Sequence, residues 1–424
     1  MNILLLGGGG REHAFAWKIR QSPLCDSLYI APGNAGTMTL GTNLNFADDD
    51  FESIKNACIQ YEVGMVIVGP ETPLVKGIVD FFANEKDLKD LRIIGPDKIA
   101  SQLEGSKDFS KQIMKECNIP TAGYATFTLE NFEEGLAHLR NHSLPIVLKA
   151  DGLSAGKGVL ICESREEALT EFRSMLQDQK FGEASARVVV EEFLVGIELS
   201  VFVITDGKNY KLLPSAKDYK RIGEKDTGLN TGGMGAISPV PFADHDFLNK
   251  VKERIVEPLL IGLQEKGIIY KGFLFVGLMA VDGDPYVIEY NCRMGDPETE
   301  VVLPRIKTDI VSICEAIYDG KVDDLNIEFT DKTAATVFLV SGGYPGVYEK
   351  GKPITGLDGI EDSIIFHAGT TVQNNQVVTH GGRVLAVTSL GDSIADAVEK
   401  SMRNAKKINY EGKYFRSDIG NDLI

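Results

Sequence analysis

The stretch Lys149-Ala-Asp-Gly-Leu-Ser-Ala-Gly-Lys-Gly158 constrains this chain more than any other. It crowds three glycines and two lysines into ten residues and runs straight into Val159-Leu-Ile-Cys162. A P-loop needs GxxxxGK[ST] opening a helix. Here Gly158 follows Lys157, and the apolar sequel reads as a strand. Residues 146–149 and 159–162 therefore read as two antiparallel strands, with the glycine loop at their tip. Such a tip can fold over a nucleotide, with Ser154, Gly156, Lys157 and Gly158 turning backbone N–H groups toward the β- and γ-phosphates. Lys149 adds a point charge beside them. A plain mobile hairpin would explain the glycines but not the two lysines flanking them.

Residues 1–100 alternate strand and helix. Strands are expected at 2–6, 27–30, 65–68 and 91–94, with a helix at 11–20. This order implies a parallel, doubly wound sheet, whose ligands bind beyond the carboxyl ends of the strands. Those ends are Gly7–Arg11, Ala31–Gly36 and Gly69–Leu74. The dinucleotide fingerprint GxGxxG fails, because its third glycine position falls on Glu12 or His13. The first loop reads as a site for one phosphate, with Arg11 adding charge at a helix N-terminus. A tight turn that merely needs glycine is the plainer alternative.

At 424 residues the chain is too long for one core, so two to four lobes are expected. A net charge of −17 argues against a nucleic-acid partner. No apolar run approaches the roughly 20 residues of a membrane span, and the N-terminus does not read as a signal peptide. Six scattered cysteines without a CxxC pair suit reduced thiols in a cytoplasmic protein.

Beyond residue 100, a helix is expected from 101 to Cys117. Ser164-Arg-Glu-Glu167 reads as a capping box. Strands follow at 188–191 and 198–204, then a glycine-rich loop at 223–235 and a helix near 245–265. A hairpin is expected from 273–281 and 286–291 about Asp282-Gly283. Residues 330–424 read as β-rich with a helix near 393–407. Glu289 and Asn291 lie two apart on the second hairpin strand, so both face one way. A carboxylate and an amide oxygen suit Mg²⁺, which completes its shell with water and phosphates. Arg293, Asp296 and Glu298 follow at once, a grouping hard to explain as a solvated edge. Backbone at 188–194 could pair with an adenine edge, Phe193 or Leu194 could pack on the ring, and Glu198 could reach ribose hydroxyls. An ordinary buried strand is the plainer reading of that segment. The long polar loop around Asp218, Lys220 and Gly228–Gly235 reads as functional, with disorder as the alternative.

These residues together resemble the ATP-grasp superfamily and, within it, the phosphoribosylamine–glycine ligase family. The resemblance covers nearly the whole chain. It rests on Gly7-Gly-Gly-Gly-Arg-Glu-His13, Pro32-Gly-Asn-Ala-Gly36, Val68-Gly-Pro-Glu71, Gly105-Ser-Lys107, the 149–158 loop and Glu191-Glu-Phe-Leu194. It continues through Asn230-Thr-Gly-Gly-Met-Gly235, Gly295-Asp-Pro-Glu-Thr299, Ser341-Gly-Gly-Tyr-Pro345, His367-Ala-Gly369 and Gly381-Gly-Arg383. It implies an N-terminal α/β domain (1–103), an ATP-grasp main lobe (104–122 and 191–326), a lid lobe (123–190) and a C-terminal α+β domain (327–424).

The resemblance also implies site roles. Lys107 and Lys149 would contact ATP phosphates. Glu191, Glu192, Phe193, Leu194 and Glu198 would hold adenosine, and Glu289 with Asn291 would hold Mg²⁺ or Mn²⁺. Asp218, Lys220, Arg293 and Asp296 are the candidate catalytic residues. Arg293 would hold glycine's carboxylate or the transferring phosphoryl group, and Asp218 or Asp296 its ammonium. Gly8, Gly9, Arg11, Asn34, Pro70, Glu71, Gly232, Gly233 and Met234 are the candidate substrate contacts. The expected reaction joins glycine to phosphoribosylamine at the expense of ATP, in a cytoplasmic protein; a monomer is one possible state, which the sequence does not decide. Two departures stand out: Lys217-Asp-Tyr-Lys-Arg221 stands where the family usually reads Gln-Asp-His-Lys-Arg, so Tyr219 receives no proton-transfer role, and the first hairpin strand, Phe273–Met279, lacks the metal-binding Glu that many ATP-grasp enzymes carry there. The rivals are another ATP-grasp ligase acting on bicarbonate or formate, and a catalytically dead nucleotide-binding protein.

Overall fold

A computed structural model of the chain describes residues 1–154 and 158–424. The first sheet has five parallel strands in the order Thr42–Asn43, Leu28–Pro32, Asn2–Gly7, Val63–Val68, Arg92–Ile94. Its central strand is apolar throughout because both faces are covered. Ile3 and Leu5 enter one core cluster, while Leu4 and Leu6 enter a second. The chain doubles back beside this strand, so Gly8–Arg11 sits at the crevice where such sheets bind ligands.

A four-stranded antiparallel sheet forms a separate lobe, in the order Tyr124–Phe127, Val188–Glu192, Ile146–Ala150, Val159–Cys162. Helices Phe132–Asn141 and Arg165–Leu176 complete its own core around Phe172, Leu136 and Leu148. Lys149 pairs with Val159, so the 149–158 loop does join antiparallel neighbours. Ser164 caps the second helix by accepting from the Glu167 N–H, but Glu167 returns its bond to Glu163 instead of to the cap.

The third sheet has eight strands: Asp284–Asn291, Gly272–Val281, Ile197–Thr205, Tyr210–Asp218, Gly235–Ser238, Thr333–Val340, Arg383–Gly391, Ile364–His367. Gly235–Ser238 pairs with Thr333–Val340, so one hydrogen-bonded sheet crosses the boundary expected near residue 327. The Asp282-Gly283 turn has φ of +50° and +81°, the left-handed pair that a tight hairpin requires.

The structure corrects several expected elements. The helix expected from 101 to 117 breaks at Ser106, which is extended (φ −137°, ψ 115°) and caps a new helix, Lys107–Glu116, by accepting from the Phe109 N–H. The 223–235 loop contains a small hairpin, Arg221–Gly223 with Thr227–Asn230. Tyr210–Asp218 is a strand that the sequence hides, because Pro214 interrupts its pattern. The helix near 245–265 carries a π turn at Lys252–Val256. All six cysteines are free. No described helix is long and apolar enough to cross a membrane.

Candidate functional site

A β-bulge aims the two proposed metal ligands. Gly277 pairs with Glu289, but the next residue, Leu278, pairs with Val287, so Ile288 is the extra residue. Without it Val287 and Glu289 would share a face. With it Val287, Tyr290 and Cys292 enter the core, while Glu289 and Asn291 take the opposite face. Asn291 lies across from Phe275, and Glu289 across from Gly277, which offers no side chain. Gly277 in turn pairs with Ser200 on Ile197–Thr205, so Glu198 is two residues along on this same face.

Four cations surround Glu289. Burial opposes its ionisation, yet Lys220, Lys149, Lys107 and Arg293 together hold its carboxyl below the usual range. Lys149 comes from the four-stranded sheet and donates to the Ile288 carbonyl at 3.3 Å, which brings that sheet against the bulge. Its Nζ also lies 3.0 Å from Glu191 Oε2. Lys111, which the sequence reading missed, reaches the same oxygen at 3.2 Å and donates to Thr121 Oγ1 at 2.8 Å. Burial pushes the Lys111 ammonium down to about 8. Both lysines use Oε2, and the buried Oε1 of Glu191 has no partner among the described residues. Lys107 donates to the Gly152 carbonyl at 3.3 Å, and burial pushes its pKa down against the pull of Glu289. Ser154 and Gly158 flank the loop tip, while Gly156 and Lys157 lie outside the described residues. Beyond Glu191, Glu192 accepts from the Gly123 N–H at 2.9 Å, and Phe193 is 38% exposed with Leu194 half-buried.

Asp218 and Lys220 meet Glu198 on this same face. Lys220 Nζ bonds directly to Glu198. Burial pushes the Asp218 carboxyl up to about 6, with Lys220 pulling it down and Glu198 pushing it further up. Glu298 lies behind them and accepts from Ser200 Oγ at 3.4 Å. Burial and the Asp218 charge push its carboxyl to about 8.

The N-terminal loop reaches the same region through Arg293. This guanidinium donates to Glu104 at 2.6 Å and Glu71 at 3.3 Å. Glu104, also unforeseen, accepts from the Cys292 N–H at 2.8 Å as well. Burial works against Glu71, yet Arg293 and Arg11 hold its carboxyl down to about 2. Pro70 stands just before Glu71, at the cap of the helix Glu71–Lys76. The backbone of Gly8 packs so close to Gly33 that a Cβ would lie 2.7 Å from the Gly33 carbonyl oxygen. Gly9 N–H donates to Glu12 at 2.7 Å, and Arg11 pairs with Glu12 at 2.6 Å.

Three expected contacts also have partners within the protein. Asn34 is spent on structure: its amide donates to the carbonyls of Gly8, Gly9 and His367, and its oxygen accepts from Gly36 and Thr37. Met234 is fully buried in the core, so only its backbone borders the loop. Asp296 lies 2.8 Å from Arg383 Nη2 and faces the Arg11 N–H at 3.4 Å, which makes it a brace between the C-terminal sheet and the N-terminal loop. Arg383, to which the sequence assigned no role, also donates to the Asp296, Gly232 and Gly233 carbonyls. Glu289 and Asn291 are the residues that could hold a metal. No group of three or more His, Cys, Asp or Glu gathers for a metal among the described residues.

Family models cover the chain in three stretches. They are the phosphoribosylglycinamide synthetase N domain over residues 1–104, its ATP-grasp (A) domain over 105–299 and its C domain over 334–422. The phosphoribosylamine–glycine ligase of Haemophilus influenzae is 45% identical over 425 residues, covering 99% of this chain and 98% of that protein. The enzyme of the same name from Yersinia pestis is 46% identical, with the same coverage. The crystal structure of the Thermotoga maritima phosphoribosylamine–glycine ligase matches at a TM-score of 0.86 and 36% identity, over 99% of this chain and 100% of that one. A biotin carboxylase domain from Hydrogenobacter thermophilus, solved with MgADP and bicarbonate, shares the fold at a TM-score of 0.73 and 17% identity, covering 99% of this chain and 92% of that one. This chain belongs to the phosphoribosylglycinamide synthetase family.

Proposed function

We propose that the chain joins glycine to phosphoribosylamine by way of glycyl phosphate, giving glycinamide ribonucleotide, ADP and phosphate. Family membership supports the ligase activity and its place in purine biosynthesis. The observation that carries the site reading is the Lys149–Ile288 bond, which joins the lid lysine to the bulge that aims Glu289. In this reading the strand end that carries Lys149 and the carboxylate–amide pair bind one nucleotide between them.

In this reading a glycine carboxylate oxygen attacks the γ-phosphorus, and the bond to the β,γ-bridging oxygen breaks to release ADP. The amine of phosphoribosylamine then attacks the acyl carbon. The acyl C–O bond breaks, phosphate leaves, and the nitrogen loses a proton. Lys107, Lys149 and the 154–158 loop hold the phosphates, acting by position and charge. Glu191 presents its unpartnered oxygen to the adenine, and Phe193 and Leu194 cover the ring. Asp218 and Lys220 meet glycine and the transferring phosphoryl group, and Arg293, oriented by Glu104 and Glu71, stands beside them. Gly8, Gly9, Arg11 and Glu71 face the phosphoribosyl group.

The donor set of Glu289 and Asn291 fits Mg²⁺ or Mn²⁺: two hard oxygens on one strand face, the carboxylate kept ionised by its cations. When bound, the metal neutralises charge on the β/γ oxygens. The lobes are proposed to divide at residues 1–103, 104–122 with 191–326, 123–190 and 327–424. The test is ADP release with glycine, bicarbonate or formate, each with and without phosphoribosylamine. Turnover should require glycine and phosphoribosylamine together. Equal rates with an unrelated amine, or release driven by bicarbonate, would mean another substrate.

A further inference from the structure

Lys217 and Tyr219 bracket Asp218 in sequence and face away from it. Both are buried, at 8% and 3% exposure, against the core on the far side of the strand from Glu198. Both meet one partner. Lys217 Nζ lies 2.7 Å from Asp422 Oδ2, and the Tyr219 hydroxyl donates to Asp422 Oδ1. The Lys217 ammonium also lies 4.0 Å from the centre of the Tyr219 ring. Three groups thus close into one clamp around a carboxylate 203 residues further along the chain.

The clamp is one end of a longer seam. Arg416, only 1% exposed, donates to the Arg221 carbonyl at 3.0 Å and to Asp226 at 2.7 Å. Asp418 accepts from the Lys225 N–H at 2.7 Å, and Ser417 bonds to Glu224. The segment 416–422 therefore lines the outside of the loop 217–230. Inside that loop, Tyr219 N–H donates to the Gly235 carbonyl at 3.0 Å, Met234 N–H to Tyr219 at 2.8 Å and Thr231 N–H to Lys220 at 2.7 Å. A shift of Tyr219 would move Asp218, Lys220 and the 231–235 turn together.

We propose that Asp422, through Lys217 and Tyr219, is a positioning residue that fixes the Asp218–Lys220 pair over the Glu198–Glu289 face. This rests on the reading that Asp218 and Lys220 meet glycine and the transferring phosphoryl group. A buried residue on each side of Asp218 leaves the strand one depth when both grips hold. Without them the 416–418 seam and the backbone bonds still hold the loop, but nothing grips the chain on either side of Asp218, and a displacement of about 1 Å can cost two orders of magnitude in rate.

The experiment compares Asp422→Ala, Asp422→Asn and Tyr219→Phe with the parent enzyme, and uses Asp218→Asn as the reference. The measurements are kcat/KM for glycine, ATP affinity by calorimetry and near-UV circular dichroism. Asp422→Ala should lower kcat/KM for glycine by about tenfold, with ATP affinity within about twofold. Asp422→Asn keeps an acceptor for Tyr219 and should recover part of the loss. Unchanged glycine kinetics in a folded Asp422→Ala, or an equal loss in ATP affinity, would overturn the clamp. If that variant does not fold, Tyr219→Phe decides: a loss specific to glycine supports the proposal, and parent kinetics overturn it. Parent kinetics in Asp218→Asn would instead sink the substrate reading on which the clamp depends.

Discussion

His13 and His367 make the seam between the N-terminal loop and the C-terminal sheet sensitive to acid. His13 is 6% exposed, and its Nδ1 accepts from the His367 N–H at 2.7 Å. The two rings lie 5.5 Å apart. Burial, with His367 beside it, pushes the His13 imidazole from 6.5 down to about 3, and burial takes His367 to about 4. The folded state therefore refuses protons that the unfolded chain accepts. Above pH 6.5 neither state is charged and the pair costs nothing. Below it the unfolded state gains protons first, and stability falls until the folded pKa is reached. A displacement from 6.5 to about 3 amounts to about 5 kcal/mol in full, at about 1.4 kcal/mol per tenfold change in proton affinity. Between pH 6.5 and 5 the share is about 2 kcal/mol for His13, a large part of the roughly 5–15 kcal/mol that holds a folded domain. The assay is urea denaturation at half-unit steps from pH 7.5 to 5. His13→Gln offers an uncharged acceptor at the same place and should flatten the slope by about 1.4 kcal/mol per pH unit below 6.5. Equal slopes for parent and variant would refute the claim that His13 stays neutral in the seam.

Three substitutions test the cleft. Glu289→Gln should cut metal-dependent turnover by about 100-fold or more, and near-normal rates would remove Glu289 from the metal site. Lys149→Ala should weaken ATP binding by calorimetry with the fold intact, because Lys111 still holds Glu191; unchanged affinity would contradict the phosphate role. Glu104→Gln strips Arg293 of its shorter carboxylate bond and should lower denaturant stability by about 3 kcal/mol, with a fall in kcat. A loss under about 0.5 kcal/mol would mean that Glu71 alone fixes the guanidinium.

The chain itself determines whatever depends on near neighbours. The apolar run of residues 3–6 demands a strand covered on both faces, and Asp282-Gly283 demands a tight hairpin, because few residues tolerate its φ values. The glycine loop cannot open a helix when Val159-Leu-Ile follows it. Period two puts Glu289 and Asn291 on one face whatever they meet. Which face that is, however, depends on the bulge at Ile288, a mismatch between two strands that neither carries alone. Tertiary structure alone also joins Lys111 and Lys149 to Glu191, seats Arg293 between Glu71 and Glu104, 222 and 189 residues away, and ties Asp296 to Arg383. It buries Met234 and spends Asn34 on loop carbonyls, although both stand in glycine-rich segments that look open. The physical reason is the same throughout. Turn chemistry and strand period act within a few residues, whereas the charge around each group comes from side chains that only folding brings near.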